Sequence, residues 1–197
     1  RAVAMHPGGQ LLIVGCADGR LVWHDLDARD RRWTVDRHQA AITALQFSAD
    51  GSEVAVVDMM GAMSVWDVPG RKLVRFETSG LPAIAAALAT DAGYAAALAT
   101  GSGVDVASLD QADSRRPLAA FEAVADVVAT TRDGTRIAVA TRDRKVYWFD
   151  AQTGDRTATK DDLGESVRSL SFSPDGSQLA VAVGKQILLL SGNGTGG

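Results

Sequence analysis

Hydrophobic and polar positions alternate along the chain in short blocks that are separated by turn residues. In Ile42–Phe47 the apolar and polar side chains alternate with a period of two, which predicts a strand with one face in a core. The tight-turn residues Ser48–Gly51 follow, and Glu53–Val57 is then almost continuously apolar. Ala62–Trp66 forms a third block. The pattern therefore predicts antiparallel strands joined by tight turns.

This order of blocks recurs five times along the chain. The turns after the first strand of each copy end at Gly9, Gly51, Gly93, Gly134 and Gly176, so the steps are 42, 42, 41 and 42 residues. A fixed period of this length indicates one supersecondary unit copied in tandem. We predict repeats over residues 1–37, 38–79, 80–121, 122–163 and 164–190, and a flexible Gly-rich tail over 191–197.

Individual copies add local predictions. Asp18-Gly19 lies between apolar runs and predicts a hairpin with a type I′ turn. The Ala-rich segment Ala83–Ala99 has helical propensity, but its phase with the other copies predicts strands, including one over Tyr94–Leu98. The second strands are apolar on both faces, so each small sheet must be covered by its neighbours.

Composition narrows the class of protein. The net charge of −4 and the pI of about 5.3 disfavour broad binding to nucleic-acid phosphates. No apolar run approaches the roughly 20 residues that span a bilayer, so no membrane partner is expected. Cys16 is the single cysteine, which excludes an intrachain disulfide and fits a reducing compartment. We expect a cytoplasmic protein, with export left open because a leader could precede Arg1.

The repeat resembles the WD-repeat β-propellers. The residues that carry this resemblance are Phe172–Gly176, Trp66-Asp67, Trp23-His24-Asp25, Trp148-Phe149-Asp150 and Thr153-Gly154. Each motif alone is weak, but five copies in phase cover essentially the whole chain. The resemblance implies an all-β propeller of four-stranded antiparallel blades.

The family often ties each blade with a buried hydrogen-bonded set, formed by a His before the first strand, a Ser or Thr on the second, an Asp at the second turn and the Trp. In the second copy His38 and Trp66 align with this set, but Met60 takes the Asp position. Thr141 and Asp143 align in the fourth copy, and Asp18 aligns in the first. We therefore expect no complete set, and blades held mainly by apolar packing.

The blade count is lower than the family implies. About 4.7 repeats are present, whereas propellers have 4–8 blades and the family usually has about seven. The last copy lacks a fourth strand, and the chain opens directly in an inner strand. We expect an incomplete ring whose missing blades, most of them upstream of Arg1, are supplied by the rest of the chain.

Chemical sites are not evident in the sequence. The recurrent aspartates lie at the same turn of successive copies, so a structural role is expected; they are Asp50, Asp91, Asp133 and Asp175. Gly101-Ser102-Gly103 is followed by a strand rather than by a helix, which argues against a phosphate cradle. The spacing of the three histidines and one cysteine predicts no metal site, and we expect no cofactor and no nucleophile triad.

Departures from the repeat are better places to look for function. Met59 and Met60 occupy the turn between the second and third strands of the second copy, where Asp-Gly would be ordinary. They form either an adaptable apolar contact for a protein partner or a cover for neighbouring blades. Arg142, Arg144 and Lys145 lie at the equivalent turn of the fourth copy. They either form a solvated face with Asp161, Asp162 and Glu165 or steer a charged partner.

The resemblance and these loops predict a protein-interaction scaffold or sensing domain within a larger signalling or regulatory protein, and not an enzyme. Two alternatives remain. One is an architectural domain that packs against sibling domains. The other is an enzyme with its site in the central channel, where the innermost strands offer Thr43, Gln46, Ser169 and Ser171.

Overall fold

A computed structural model describes residues 2–28, 31–78, 82–91, 95–100, 103–108 and 115–194. Several predicted features lie outside these residues. They are Arg1, Gly93, the beginning of the Tyr94–Leu98 strand, Gly101 and Ser102 of the Gly-Ser-Gly turn, and residues 195–197 of the tail.

Within the described residues the chain forms nineteen strands in five antiparallel sheets. The first sheet contains β1 (Ala2–Met5), β2 (Leu11–Gly15), β3 (Arg20–Asp25) and β4 (Arg32–Asp36). The second contains β5 (Ile42–Phe47), β6 (Glu53–Asp58), β7 (Ala62–Asp67) and β8 (Lys72–Thr78). The third contains β9 (Ala85–Ala89), β10 (Ala95–Thr100), β11 (Gly103–Ser108) and β12 (Arg116–Ala120). The fourth contains β13 (Ala125–Thr130), β14 (Arg136–Thr141), β15 (Lys145–Asp150) and β16 (Arg156–Lys160), and the fifth contains β17 (Val167–Phe172), β18 (Gln178–Val183) and β19 (Gln186–Ser191).

Each sheet is a meander in which neighbours in the chain are neighbours in the sheet. The predicted all-β fold with four-stranded antiparallel sheets is confirmed, and the fifth sheet has three strands among the described residues. The Ala-rich third copy forms β9 and β10 rather than a helix. No described segment forms a helix with the length and apolar character needed to cross a bilayer.

The core lies between the sheets. Side chains alternate along each second strand, so that in β6 Val54 and Val56 pack toward the first sheet while Ala55 and Val57 pack toward the third. Four buried clusters join the five sheets in sequence. The apolar character of both faces of β6 therefore follows from its place between two neighbours.

The innermost strands pack in the order β1, β5, β9, β13 and β17 around a central cavity of about 640 Å³. Among the described residues no fifth cluster joins the fifth sheet to the first. Val3 and Met5 on β1, with Ile187 and Leu189 on β19, are 58–71% exposed, more than any other large hydrophobic residue described. The described sheets thus form an open array with an apolar face at each end.

One local feature differs from the sequence prediction. The Asp18-Gly19 hairpin is not a type I′ turn, because only Gly19 has a positive φ, of 88°. Instead, Gly19 N donates to Cys16 O, and Gly19 takes the left-handed position that follows such a turn. The predicted flexible tail begins as a hydrogen-bonded turn, in which Gly192 N donates to Ser177 O and Gly194 N donates to Ser191 O.

Three of the four recurrent aspartates build the turn between the first and second strands, whereas Asp91 is contacted by Thr90 Oγ1 (3.4 Å) and Arg132 Nε (4.0 Å). Asp50 Oδ1 accepts hydrogen bonds from Ser48 Oγ (2.7 Å), Ser52 N and Ser52 Oγ. Asp175 makes the same bonds with Ser173 and Ser177. Asp133 does so with Thr131 and Thr135. The repetition of these residues therefore reflects turn geometry rather than a catalytic carboxylate set.

These hydrogen bonds favour the charged carboxylate. The side-chain bond from Ser48 contributes most to lowering the pKa of Asp50 to about 2, and Ser173 has the same effect on the pKa of Asp175, also to about 2. Both pKa values lie below the ordinary 3.8 of an aspartate. The hydrogen bonds to these two carboxylates therefore stabilise the folded state fully at pH values above 3.8. Their contribution is lost as the pH falls toward 2.

We predict that Ser48→Ala raises the pKa of Asp50 toward 3.8, because the strongest hydrogen bond to the carboxylate is removed. The measurement is an NMR titration of the side-chain carboxyl groups. Asp175 in the same protein is the control, and its pKa is expected to stay at about 2. An unchanged pKa for Asp50 in the variant would contradict this account of the turn.

Candidate interaction surface and a buried polar network

The turns between second and third strands and the links between sheets project from one face of the array, which we call the rim. Backbone hydrogen bonds hold these loops together. Met59 N donates to Ala41 O (2.8 Å), and Ala83 N donates to Met59 O (2.9 Å). In the fourth sheet Arg142 N donates to Val124 O (2.9 Å) in the same way. The backbone of the rim loops is therefore held in place, so the positions from which their side chains project are fixed.

An apolar patch lies on the rim above the second sheet. Met59 and Met60 are 49% and 57% exposed, and Ile84 in the link to the third sheet is 45% exposed. The bond from Ala83 N to Met59 O brings Ile84 next to this turn. We call Met59, Met60 and Ile84 the apolar rim patch. The sequence analysis identified the two methionines but missed Ile84. The reason is that Ile84 comes next to them only through the course of the link between the second and third sheets.

The cations at the equivalent turn of the fourth sheet have internal partners. Arg142 Nε donates to Asp126 Oδ2 (2.9 Å), and Arg144 Nη1 donates to Gly164 O (3.0 Å). Lys145 Nζ lies 3.4 Å from Asp161 Oδ1. These side chains are largely exposed, so each pair contributes little to stability. The arrangement is that of a solvated, nearly balanced charged face.

Below the apolar rim patch lies a buried polar network in the second sheet. His38 Nδ1 is 2.9 Å from Asp58 Oδ2, and His38 Nε2 is 2.8 Å from Ser64 Oγ. Trp66 Nε1 donates to the same Ser64 oxygen (2.8 Å). Burial, the largest effect, lowers the pKa of His38, which favours the neutral ring. Nδ1–H then donates to Asp58, and Nε2 accepts from the Ser64 hydroxyl.

The sequence prediction that no copy has a complete hydrogen-bonded set is wrong for the second sheet. Asp58, at the end of β6, takes the Asp role that was assigned to the Met60 position, and its Oδ1 also accepts from Met60 N and Ala62 N (2.9 Å each). The hydroxyl comes from Ser64 on β7 rather than from the second strand. Alignment by position missed Ser64 because it looked for the hydroxyl on the second strand, whereas Ser64 lies on the third.

Ser64, His38 and Asp58 have the atom-to-atom order of a serine nucleophile, its base and the carboxylate that orients the base. All three side chains are buried, with relative exposures of 0–2%. Ser64 Oγ also accepts a hydrogen bond from Trp66. A substrate cannot reach this oxygen without separating the first two sheets, so the arrangement ties the blade and offers no accessible nucleophile.

The other predicted blade-tying residues are not part of a comparable network. Asp18 is half exposed and accepts hydrogen bonds from Arg20 within its own turn. Thr141 Oγ1 donates to Asp143 Oδ1 (2.5 Å) in the fourth sheet, where Phe121 stands in place of a histidine. The Phe121 ring instead packs 5.0 Å from Tyr147. Trp23 Nε1 and Trp148 Nε1 have no hydrogen-bond partner among the described residues.

Aspartates at the ends of the third strands also have turn roles. Asp150 Oδ1 accepts from Gln152 N and Thr153 N, and these bonds lower the pKa of Asp150. Asp67 Oδ2 accepts from Gly70 N (2.7 Å), and Asp25 Oδ1 accepts from Asp27 N and Ala28 N. The Trp-Asp motif and its echoes therefore mark the turn into the fourth strand.

The central cavity is lined by few side chains that could take part in catalysis. Thr43, Gln46, Ser169 and Ser171 line it as predicted for the channel, together with Arg132. No histidine or carboxylate lines it in the described part of the chain. The described residues also contain no group of three His, Cys, Asp or Glu side chains that could hold a metal ion.

We predict that Ser64→Ala lowers the free energy of unfolding by about 2–4 kcal/mol, because the buried donor of Trp66 and the acceptor of His38 both lose their partner. Chemical denaturation followed by tryptophan fluorescence measures this change. Ser171→Ala, on an exposed strand position, is the matched control and should shift stability by no more than about 0.5 kcal/mol. Equal effects of the two substitutions would refute the network's role.

No family model matches the chain. Ribosome biogenesis protein erb1 of Pyrenophora tritici-repentis is 45% identical over 51 residues, which are 25% of this chain and 6% of that protein. Ribosome biogenesis protein ERB1 of Chaetomium thermophilum is 48% identical over 48 residues, or 24% of this chain and 6% of that protein. These curated relatives are therefore matched over only a small part of their own length.

A solved structure is similar over nearly the whole chain. The β-propeller domain of Cps50 (Swd1) from Myceliophteria thermophila aligns with a TM-score of 0.82 and 19% identity, covering 96% of this chain and 64% of that one. At this identity the likeness shows the fold. Together with the five repeated sheets, it confirms the propeller fold that the resemblance implies: the chain folds as a β-propeller in which each sheet is one blade.

Proposed function

We propose that this protein is a protein–protein interaction scaffold that binds its partner through the apolar rim patch. The observation that carries the proposal is the exposure of Met59, Met60 and Ile84 side by side on a hydrogen-bonded surface. Soluble proteins rarely keep large apolar side chains exposed together unless they mark an interaction site.

The chemistry of the patch suits a protein partner. Methionine side chains are flexible and polarizable, so they adapt to partner surfaces of different shape. The backbone beneath them is fixed, since Asp58 accepts hydrogen bonds from Met60 N and Ala62 N and is itself bonded to His38. The buried network therefore presents adaptable side chains from a rigid turn, which limits the entropy lost on binding.

The charged face of the fourth blade has a secondary role in this proposal. Because Arg142 and Lys145 are paired with Asp126 and Asp161, they add little affinity of their own. They orient a charged partner as it approaches the rim. Their balance with neighbouring carboxylates fits a protein partner better than a polyanion such as nucleic acid.

No reaction is proposed for this protein. The serine, histidine and aspartate that come together are buried, and the described lining of the central cavity contains no acid–base pair. The similar ribosome biogenesis proteins and the Swd1 propeller are consistent with a non-enzymatic scaffold. A cytoplasmic location and a place in a larger signalling protein stay predictions.

A second candidate function is architectural. The end faces of the array, with Val3, Met5, Ile187 and Leu189, are more exposed than the apolar rim patch. In this alternative they pack against further blades or sibling domains, as the four internal faces of the array do. The 36% of the Swd1 propeller chain left outside the alignment is consistent with further blades.

We predict that Met59→Asp combined with Met60→Asp lowers partner capture at least tenfold, since about 2 kcal/mol or more is lost when buried anchors of an interface are replaced. The measurement is affinity capture by the immobilised protein from an extract of its source, with quantitative mass spectrometry. The matched control is Leu73→Asp with Val74→Asp, because these adjacent apolar residues are exposed on β8, away from the rim.

The scaffold proposal expects the rim variant to lose proteins that both the unmodified protein and the β8 variant retain. If the rim variant retains them all, the proposal is wrong. If instead Val3→Asp with Ile187→Asp removes them and the rim variant does not, the architectural alternative is favoured. Circular dichroism of each variant separates loss of binding from loss of fold.

A further inference from the structure

A second cavity, of about 560 Å³, lies between the third and fourth blades. The third blade contributes β12 and the link that follows it, and the fourth blade contributes side chains of β15 and β16. Both blades have four strands and a neighbour on each side, so the walls of this cavity do not depend on the ends of the chain. We call it the interblade cavity. Its volume is in the range of pockets that bind small organic molecules.

Strand register identifies the equivalent place in the second blade. β7 and β8 pair with a register shift directly before Trp66, and β15 and β16 pair with one directly before Phe149. Two residues earlier, Ser64 corresponds to Tyr147. Because Phe121 already stands in place of the histidine, the fourth blade has aromatic rings where the second blade has its buried polar network.

The outer strands cover this place differently in the two blades. On β8 the residues opposite the network are Leu73 and Phe76, and the Phe76 ring centroid lies 5.7 Å from that of His38. The corresponding residues of β16 are Arg156 and Thr159. The ring that covers the network in the second blade is therefore replaced by a small side chain in the fourth, and the space beneath it stays open.

Three aromatic rings line the interblade cavity. The ring centroids of Phe121 and Tyr147 are 5.0 Å apart, and those of Phe121 and Phe149 are 5.9 Å apart in an edge-to-face arrangement. Phe149 is buried, while Phe121 and Tyr147 are half-buried. Aromatic pairs prefer offset or edge-to-face contacts at such distances, so this wall suits another planar ring.

Charged groups make the two ends of the cavity different. At the rim end Lys145 Nζ lies 3.8 Å from Asp143 Oδ2, and Glu122 adds a second carboxylate. At the opposite end Arg156 forms no ion pair within the described part of the chain, and its guanidinium carbon lies 5.7 Å from the centroid of the Tyr147 ring. An anionic group is therefore disfavoured at the rim end and favoured beside Arg156.

We infer that the interblade cavity binds a small planar aromatic carboxylate. The carboxylate pairs with the Arg156 guanidinium, which offers parallel N–H donors, and the ring packs against Phe121, Tyr147 and Phe149. This small-molecule site goes beyond the proposed scaffold function and lies on a different blade from the apolar rim patch. A bicyclic fragment with one charged contact should bind with a Kd on the order of 1 mM.

The probe is the bicyclic aromatic carboxylate 2-naphthoate, titrated into the full isotope-labelled chain and followed by the amide signals in protein NMR spectra. The expected result is saturable shifts at Leu118, Tyr147 and Gly154, which line the cavity. The carboxamide 2-naphthamide keeps the rings without the charge and should bind at least about fivefold more weakly. The saturated analogue decahydro-2-naphthoate keeps the charge without the aromatic rings and should also bind at least about fivefold more weakly.

Variants of the protein test where the probe binds. Thr159→Phe introduces the covering ring of the second blade and should weaken binding at least about tenfold, whereas Thr159→Val should leave it unchanged. Arg156→Gln should weaken binding of 2-naphthoate at least about fivefold and leave that of 2-naphthamide unchanged. The matched control is Lys160→Gln on the same strand, because Lys160 lies opposite Val146, which packs toward the fifth blade. It should bind both compounds normally.

Three results would overturn the inference. They are the absence of saturable shifts at about ten times the expected Kd, equal binding of 2-naphthoate and either analogue, and undiminished binding by the Thr159→Phe variant. The last result would mean that the probe binds another apolar surface. The rim variant Met59→Asp with Met60→Asp should bind the probe normally, so a failure of the rim proposal is distinguished from a failure here.

Discussion

Face-to-face apolar packing between successive sheets is the interaction on which the rest of this structure depends. Each sheet is thin and has apolar side chains on both sides, so it is stable only between two neighbours. Val54 and Val56 of β6 belong to one interface, while Ala55 and Val57 belong to the next. The same constraint leaves an exposed apolar face wherever a neighbour is lacking, as at the two ends of the described array.

Polar groups in this protein fix geometry within that packed array. The turn aspartates hold the backbone where strands reverse, and their lowered pKa values reflect the hydrogen bonds that they accept. Among the described residues, the second blade alone adds a buried network, in which Asp58, His38, Ser64 and Trp66 form one connected chain of hydrogen bonds. The adjoining turn is therefore rigid, and it is the turn that presents Met59 and Met60. A structural device and the proposed binding surface thus share one loop.

The proposed function of this array rests on a place where one blade departs from the others. The repeated residues serve turns and cores, so they say little about partners. The apolar rim patch replaces ordinary turn residues. This patch exposes apolar side chains that water solvates poorly.

The sequence by itself determined the repeat, the strands and the turns, because these follow from local alternation and turn chemistry. It predicted the ends of β5, β6 and β7 to within about one residue. It also assigned the recurrent aspartates to turns rather than to a catalytic site. It could not find Ser64 or Asp58 as partners of His38, since their contact depends on which strand faces which side of the blade. It also could not place Ile84 beside Met59. It predicted a type I′ turn at Asp18-Gly19, where the structure has another turn type. Those outcomes depend on packing between segments distant in sequence, which only the tertiary structure decides.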